Sequence, residues 1–278
     1  MSNVIIGMAS GYNWRELEPF VLSLRKAYDG RCVLILGDGP HDIPDVICKR
    51  PSTADLRKKL EEYRIEAFDL GTFTEHPGLL RYKVVADILA ASNDIEFALT
   101  CDTKDVFVQI DPFIWIEQHL GQRSVCAVEE GVTYANSWGN RNNCLVAFGQ
   151  EALTKLWELR VLNGGVIGGR ADAVHHLCRA IHELCQQDRR LASFTPGYKD
   201  MLPDQSALNI LMRGRYKDQA LAISAQEGFC YLGNQGDVRV ADGLVYRPGS
   251  QVPYSIVHQF FRHEDVVALL NEKYREAE

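Results

Sequence analysis

Short apolar runs alternate with amphipathic stretches along the first third of the chain. Residues 4–8 and 32–36 are apolar runs of strand length, and small or turn-forming residues follow each of them. Between them, residues 14–28 carry apolar side chains at the spacing of one helix face. Strands that alternate with helices in this way are typical of a parallel sheet whose connections pack on its faces.

The same kind of pattern predicts further elements along the rest of the chain. Predicted helices cover residues 53–64, 79–91, 112–119, 172–187 and 264–275, and another begins at about residue 203. Predicted strands cover residues 66–68, 95–101, 124–128, 163–170, 221–223 and 254–262. We therefore predict an α/β protein whose mainly parallel sheet carries helices on both faces. Because no clear linker or repeat interrupts the sequence, we expect residues 1–278 to form a single domain.

Composition narrows the class of protein. Of the 278 residues, 46% are hydrophobic and 24% are charged, which is ordinary for a globular chain. The net charge of -7 argues against a general nucleic-acid binder, which needs a basic face. The chain begins without the pattern of a signal peptide, and no run approaches the ~18 apolar residues of a membrane span. We therefore expect a cytoplasmic protein without a transmembrane segment, whose eight scattered cysteines are reduced core residues, since no C-x-x-C pair occurs.

Two acids follow the apolar run at residues 95–101. Asp102 and Asp105 come at the end of this predicted strand, where open α/β sheets bind their ligands. Neighbouring carboxylates repel each other unless a cation lies between them, and hard oxygen ligands favour Mg²⁺ or Mn²⁺. Residues three apart on a straight strand point to opposite faces, so the pair can share an ion only if Thr103 and Lys104 form a turn. The alternative is that both acids simply cap neighbouring segments.

Two other stretches have unusual compositions. Residues 163–170, NGGVIGGR, carry four glycines on one predicted strand, which indicates a close approach to its backbone, although a bulged strand would explain one or two of them. Residues 129–143 combine Trp, Tyr and Asn as a sugar-binding wall would, and the same composition is typical of an ordinary polar loop. Three histidines on a predicted helix lack an H-E-x-x-H pattern, so we interpret them as surface or packing residues: His175, His176 and His182.

Four short motifs follow one another along the chain. They are Leu79-Leu80-Arg81-Tyr82-Lys83 ahead of the strand into Asp102, Asn163-Gly164-Gly165, Pro203-Asp204-Gln205 with Leu208-Asn209 close behind, and His258 with Arg262 four residues on. In this order, over residues 3–262, they resemble a GT-A glycosyltransferase of the lineage that includes glycogenin and the bacterial lipopolysaccharide galactosyltransferases. The chain departs from that family at its D-x-D motif, which is D-x-x-D here. Asp105 fits the second acid better than Lys104 does, because the apolar residues 106–108 follow it.

The resemblance implies a nucleoside-diphosphate sugar bound over the carboxyl edge of the sheet. The implied ligands of a bridging Mn²⁺ or Mg²⁺ are Asp102, Asp105 and His258. Arg81 would touch the donor sugar or orient an aspartate, and Arg262 would neutralise diphosphate charge. Further implied contacts are Gly7, Ala9, Ser10 and Asn13 to the nucleoside, Asn163, Gly164 and Gly165 to the donor, and Asp204 and Gln205 beside the anomeric carbon.

The implied activity is transfer of a sugar from that donor to a hydroxyl of a glycan or another acceptor, with retention of configuration. Gln205 is too poor a nucleophile for a covalent intermediate, so attack on the same face, assisted by the leaving phosphate, is favoured. If Lys104 has removed the metal site, the same fold would instead be a non-catalytic glycan- or nucleotide-binding module. A haloacid-dehalogenase-type phosphatase also carries D-x-D-x-[TV] after a strand, but here Thr103-Lys104 places the second acid one position too late.

Overall fold

A computed structural model describes residues 2–38, 54–187 and 202–275. The strands are β1 (Ser2–Met8), β2 (Arg31–Asp38), β3 (Glu66–Thr72), β4 (Ile95–Cys101), β5 (Val106–Val108), β6 (Val125–Thr133), β7 (Arg160–Arg170), β8 (Ala220–Ile223), β9 (Cys230–Leu232), β10 (Arg239–Ala241), β11 (Leu244–Tyr246) and β12 (Ile256–His258). The helices are α1 (Trp14–Ala27), α2 (Ala54–Glu62), α3 (Pro77–Ala90), α4 (Pro112–His119), α5 (Trp138–Leu156), α6 (Ala171–Gln186), α7 (Asp204–Arg213) and α8 (Glu264–Lys273).

Seven strands form the central sheet in the order β3-β2-β1-β4-β7-β6-β8. All neighbouring pairs are parallel except those of β7, which runs opposite to both β4 and β6. The predicted α/β architecture with a mainly parallel sheet is therefore confirmed. Because β1 lies between β2 and β4, the chain leaves it first to one side and later to the other, and such a reversal opens a crevice at the carboxyl ends of the strands.

Helices cover both faces of this sheet, as predicted. On β1, Val4 and Ile6 pack into a core shared with α3, α6 and α7, whereas Ile5 packs into a core shared with α1, α2 and α4. This alternation follows from the two-residue period of a strand. Strands buried on both sides need apolar side chains at successive positions, which explains the nearly continuous apolar runs of the sequence.

A small three-stranded sheet, β5-β12-β9, brings the end of the chain next to the central acids. His258 pairs with Val106 in antiparallel register, and the Gln259 N–H donates to the Asp105 carbonyl at 2.8 Å. The predicted strand over residues 254–262 is too long, because only Ile256–His258 is extended. Gln259 adopts a left-handed conformation with φ of 57°, and a single 3-10 turn, Phe260–Arg262, follows it. On a straight strand His258 and Arg262 would share a face, but this turn separates them.

The polar stretch at residues 129–143 is the end of a strand, a short turn and the start of a helix rather than one loop. β6 continues through it to Thr133, where it pairs with Arg160 of β7, and α5 begins at Trp138. Tyr134 is fully buried beneath α5, so its ring is not available as a sugar-binding surface. Pairing with β7 decides this structure, and such non-local contacts leave little trace in local composition.

Several smaller expectations concern residues away from the site. The described cysteines are unpaired and buried, namely Cys32, Cys101, Cys126, Cys144, Cys178, Cys185 and Cys230, whereas Cys48 lies outside the described residues. His175 contacts the Ala86 carbonyl at 2.9 Å, and His182 lies 2.8 Å from Glu75, as packing residues would. Among the described helices, none combines the length and the apolar character needed to cross a bilayer.

Candidate metal centre

Three side chains from separate elements converge at the carboxyl edge of the sheet. Asp102 follows β4, Asp105 precedes β5 and His258 ends β12. His258 Nε2 lies 3.3 Å from Asp102 Oδ2 and 3.5 Å from Asp105 Oδ1. The three potential ligand atoms lie within 4.8 Å of one another, so a single cation could contact all of them.

The chain bends between the two acids, as their shared position requires. Residues 103–105 form a bend rather than a strand, which turns both carboxylates to the same side. Thr103 is buried inside the bend, where its hydroxyl donates to the Met8 carbonyl at 2.7 Å. Gly7 leaves room for it, since a Cβ there would lie 2.3 Å from the Thr103 methyl group. The bend that D-x-x-D requires is thus accommodated by β1.

The donor set fits a hard or borderline divalent cation. Two carboxylates and one imidazole suit Mn²⁺ or Mg²⁺, with the imidazole favouring Mn²⁺. His258 is 1% exposed, and its Nε2 lies between the two carboxylates without a well-aligned hydrogen bond to either. A cation bound at this point could contact all three side chains. The position of a buried imidazole between two acids therefore supports a cation site.

Charge is strongly coupled within this cluster. Burial alone would lower the pKa of His258, but the carboxylates of Asp102 and Asp105 outweigh it and raise that pKa to about 9. Burial would likewise raise the pKa of Asp102, but Arg81 and His258 hold it below its usual range. The metal-free cluster therefore holds a protonated imidazole where the cation would bind. Its positive charge offsets the repulsion between the two carboxylates, which can therefore lie close together.

Arg81 joins the metal cluster to a second carboxylate. Its Nη1 donates to Asp102 Oδ1, and its Nη2 lies 3.2 Å from Asp204 Oδ2 and 3.0 Å from the Gly164 carbonyl. Asp204 also accepts the Tyr82 hydroxyl at 3.1 Å. Of the two roles implied for Arg81, its position fits the orientation of aspartates, because its side chain is only 11% exposed and its guanidinium lies between two of them.

The glycines of β7 lie directly against the cluster. A Cβ on Gly165 would fall 2.3 Å from His258 Cε1 and 2.5 Å from Asp102 Oδ2, whereas one on Gly164 would meet the Tyr82 hydroxyl at 3.1 Å. The predicted close approach to this strand is confirmed, and at Gly165 the approaching groups are the candidate metal ligands. Only glycine fits at position 165 with both side chains in place.

A hydrogen-bond network fixes Gln205 beside this strand. Gln205 Oε1 accepts the Gly164 N–H at 3.0 Å, while its Nε2 donates to Glu130 at 3.0 Å and to Asn140 at 2.7 Å. Glu130 is 6% exposed and also accepts from Asn163 at 3.1 Å. Nothing in its polar stretch singles out Glu130, and the pairing of β6 with β7 is what brings it to this network.

A cleft of about 1300 Å³ opens over these residues. Most of the residues predicted from the sequence line it: Ser10, Asn13, Arg81, Asp102, Asp105, Asn163, Gly164, Gly165, Asp204, Gln205 and His258. Gly7, Ala9 and Arg262 do not. Gly7 and Ala9 are buried, and Arg262 is exposed beyond the turn at Gln259.

Several other lining residues belong to no motif and were missed, among them Arg15, His76, Phe261 and Arg275. Lys104 also lines the cleft, inside the D-x-x-D motif, and so does Tyr12, next to Asn13. His76 offered one local signal, because it precedes Pro77 at a helix start, and its Nδ1 accepts the Gly78 N–H at 3.0 Å as the cap of α3. Arg275 offered none, since only the packing of α8 brings the end of the described chain to the cleft.

Comparisons with known proteins leave the family open. No protein-family model matches the chain, and no curated protein matches it at a significant level. A fold alone does not establish an activity, so a functional assignment depends on the chemistry of this cleft.

Proposed function

We propose that this chain is a metal-dependent glycosyltransferase of the GT-A type, which moves a sugar from a nucleoside-diphosphate sugar to an acceptor hydroxyl. The observation that carries the proposal is the convergence of Asp102, Asp105 and His258 at the edge of the cleft. Acids that merely capped two loops would not need a buried imidazole aimed between their carboxylates. All four motifs that resemble the glycosyltransferase lineage contribute residues to this cleft, although Arg262 of the last motif does not line it.

The cleft suits such a donor in position and size. It lies where β1 and β4 end, at the reversal of strand order where open α/β sheets bind nucleotides. Its volume of about 1300 Å³ exceeds the roughly 300–1,000 Å³ of an ordinary small-molecule site. We infer that there is room for both a donor and the reacting end of an acceptor.

Each protein group has a distinct part in the proposed reaction. Asp102, Asp105 and His258 would hold Mn²⁺ or Mg²⁺, which when bound supplies Lewis-acid stabilisation of the negative charge on the departing diphosphate. Arg81 keeps Asp102 ionised and fixes the direction of its carboxylate. Asp204 is held at the cleft wall by Arg81 and the Tyr82 hydroxyl, where it can accept hydrogen bonds from sugar hydroxyls.

The hydrogen bonds of Gln205 argue against a covalent sugar intermediate on its side chain. Its amide oxygen accepts the Gly164 N–H and its nitrogen donates to Glu130 and Asn140, so the amide is a fixed, weak nucleophile. If the configuration is retained, as the resemblance implies, the attack occurs on the same face: the acceptor oxygen bonds to the anomeric carbon while the bond to the phosphate oxygen breaks, and the acceptor proton passes to that phosphate. NMR assignment of the product anomer tests this step, and an inverted product would contradict it.

Replacement of Asp105 by Ala should abolish metal-dependent turnover. We expect the rate of nucleoside diphosphate release with added Mn²⁺ to fall more than about 100-fold, because one of three protein ligands is lost. A screen of nucleotide-sugar donors that monitors release of the diphosphate measures the rate, and circular dichroism checks the fold. Asp87→Ala is the control, since Asp87 lies on the surface and pairs with Lys83 and Arg179 outside the cleft.

Two outcomes would count against the proposal. Turnover by Asp105→Ala at the rate of the original chain would show that Asp105 is not a ligand. Tight, metal-independent binding of a nucleotide or glycan without turnover of any donor would instead indicate a binding module on this fold.

A further inference from the structure

The diphosphate of the proposed donor carries negative charge that the metal cluster does not neutralise. Near the candidate ion, the carboxylates of Asp102, Asp105 and Asp204 offset Arg81 and a divalent cation. A diphosphate placed there would need an additional positive group, because transfer leaves further negative charge on it. The residue expected from sequence to supply this group, Arg262, is exposed and does not line the cleft.

Most cations that line the cleft are committed to buried acids. Arg81 is held between two carboxylates, as described above. Arg275 lies 3.2 Å and Arg15 lies 3.6 Å from Glu18, whose side chain is only 1% exposed. Moving these guanidinium groups to a ligand would weaken the pairing of a buried carboxylate, which is costly.

Lys104 differs because it can leave its partner, Glu16, with little loss of stability. Its Nζ lies 3.0 Å from Glu16 Oε1, and the two side chains are 50% and 30% exposed, so the pair contributes little to stability. The other oxygen, Glu16 Oε2, accepts the Asn13 N–H at 3.0 Å in the cap of α1. Glu16 therefore keeps a hydrogen bond when Lys104 moves away.

Lys104 is also the cation closest in sequence to the candidate ligands. It is the extra residue of D-x-x-D, next to Asp105, in the bend that carries both acids. Adjacent Cα atoms are about 3.8 Å apart, so a flexible lysine here can reach a phosphate bound to the shared ion.

We propose that Lys104 binds the diphosphate of the donor, in the role that the sequence motif suggested for Arg262. This inference rests on the proposed function. It also assigns a function to Lys104 as the inserted residue. The insertion leaves both acids able to bind the ion and adds a phosphate-binding ammonium group between them.

Calorimetry with and without nucleotide tests the role of Lys104. Four proteins are compared: the original chain, Lys104→Ala, Arg262→Ala and Lys83→Ala. Each is titrated first with Mn²⁺ alone, and then with UDP, GDP, CDP or ADP in the presence of Mn²⁺. Lys83 is a matched control, since it is a half-exposed lysine paired with Asp87 outside the cleft.

For Lys104→Ala we expect affinity for the preferred diphosphate to fall about 10–100-fold, because a charge-assisted contact is lost. Its affinity for Mn²⁺ should be unchanged or slightly higher, because a nearby positive charge is gone.

In Lys104→Ala the affinity for the diphosphate should therefore fall while the affinity for Mn²⁺ does not. General damage to the site would lower both affinities. Arg262→Ala and Lys83→Ala should bind as the original chain does. Unchanged diphosphate affinity in Lys104→Ala, or a loss in Arg262→Ala instead, would overturn the role of Lys104 and leave the proposed function standing. Failure of the original chain to bind any of the four diphosphates with Mn²⁺ would overturn both.

Discussion

Gly165→Ala is expected to abolish tight Mn²⁺ binding while the protein still folds. The added methyl group would lie 2.3 Å from His258 Cε1 and 2.5 Å from Asp102 Oδ2, so at least one candidate ligand must move. Since His258 is buried and cannot swing into solvent, we expect Mn²⁺ affinity to fall about 100-fold or more. Isothermal titration calorimetry measures the affinity, and circular dichroism verifies the fold.

Gly164→Ala provides a matched control on the adjacent residue of the same strand. Its methyl group would lie 3.1 Å from the Tyr82 hydroxyl and 3.6 Å from Arg81 Nη2, without contact to a candidate ligand. We expect its Mn²⁺ affinity to change less than tenfold. Equal losses in the two variants would mean that β7 is sensitive to any side chain, and unchanged binding in Gly165→Ala would contradict the placement of the ion.

Arg81→Met is expected to cause the largest loss of stability among the substitutions discussed. It would remove the cation that Asp102 and Asp204 share, and Asp204, whose side chain is only 10% exposed, would be the more affected of the two. Breaking a buried ion pair by removal of one partner costs about 3–5 kcal/mol, and the 35% exposure of the Asp102 side chain places the expected loss at the lower end of that range. Urea denaturation of the metal-free protein should show a fall of this size in the free energy of unfolding.

An exposed pair gives the corresponding control. Arg179→Met removes an arginine that lies 3.2 Å from Asp87, with both side chains more than 40% exposed. The free energy of unfolding should then change by less than about 1 kcal/mol. If Arg81→Met fails to fold, Arg81→Lys, which keeps the charge but not the two-pronged geometry, should have intermediate stability. Stability of Arg81→Met equal to that of the original chain would show that Arg81 does not join the two acids.

The sheet and its acidic edge could be predicted from local sequence. Apolar runs identify β1, β2 and β4 because these strands are buried on both faces and need apolar side chains throughout. Asp102 follows such a run directly, so its position at the carboxyl edge follows from the strand itself. The bend at Thr103 could be stated as a requirement, because both acids had to reach one ion.

Residues placed by distant contacts could not be predicted in this way. Arg262 leaves the cleft because Gln259 takes a left-handed conformation, which no feature of the sequence YSIVHQFFR requires. Glu130 joins the site because β6 extends beside β7, and Arg275 because α8 packs near α1. In each case a contact between distant parts of the chain sets the position of the residue, because the local sequence favours no particular structure there.

Pulsed EPR of the Mn²⁺-loaded protein tests most directly whether one imidazole and two carboxylates share a single ion. The spectrum should show nitrogen modulation from a directly bound imidazole, with one tightly bound Mn²⁺ per chain. His258→Gln should lose this modulation. His76→Asn, which changes the other cleft histidine and keeps a side chain able to cap α3, should retain it. Nitrogen modulation that persists in His258→Gln, or that is absent from the original chain, would contradict the metal centre described above.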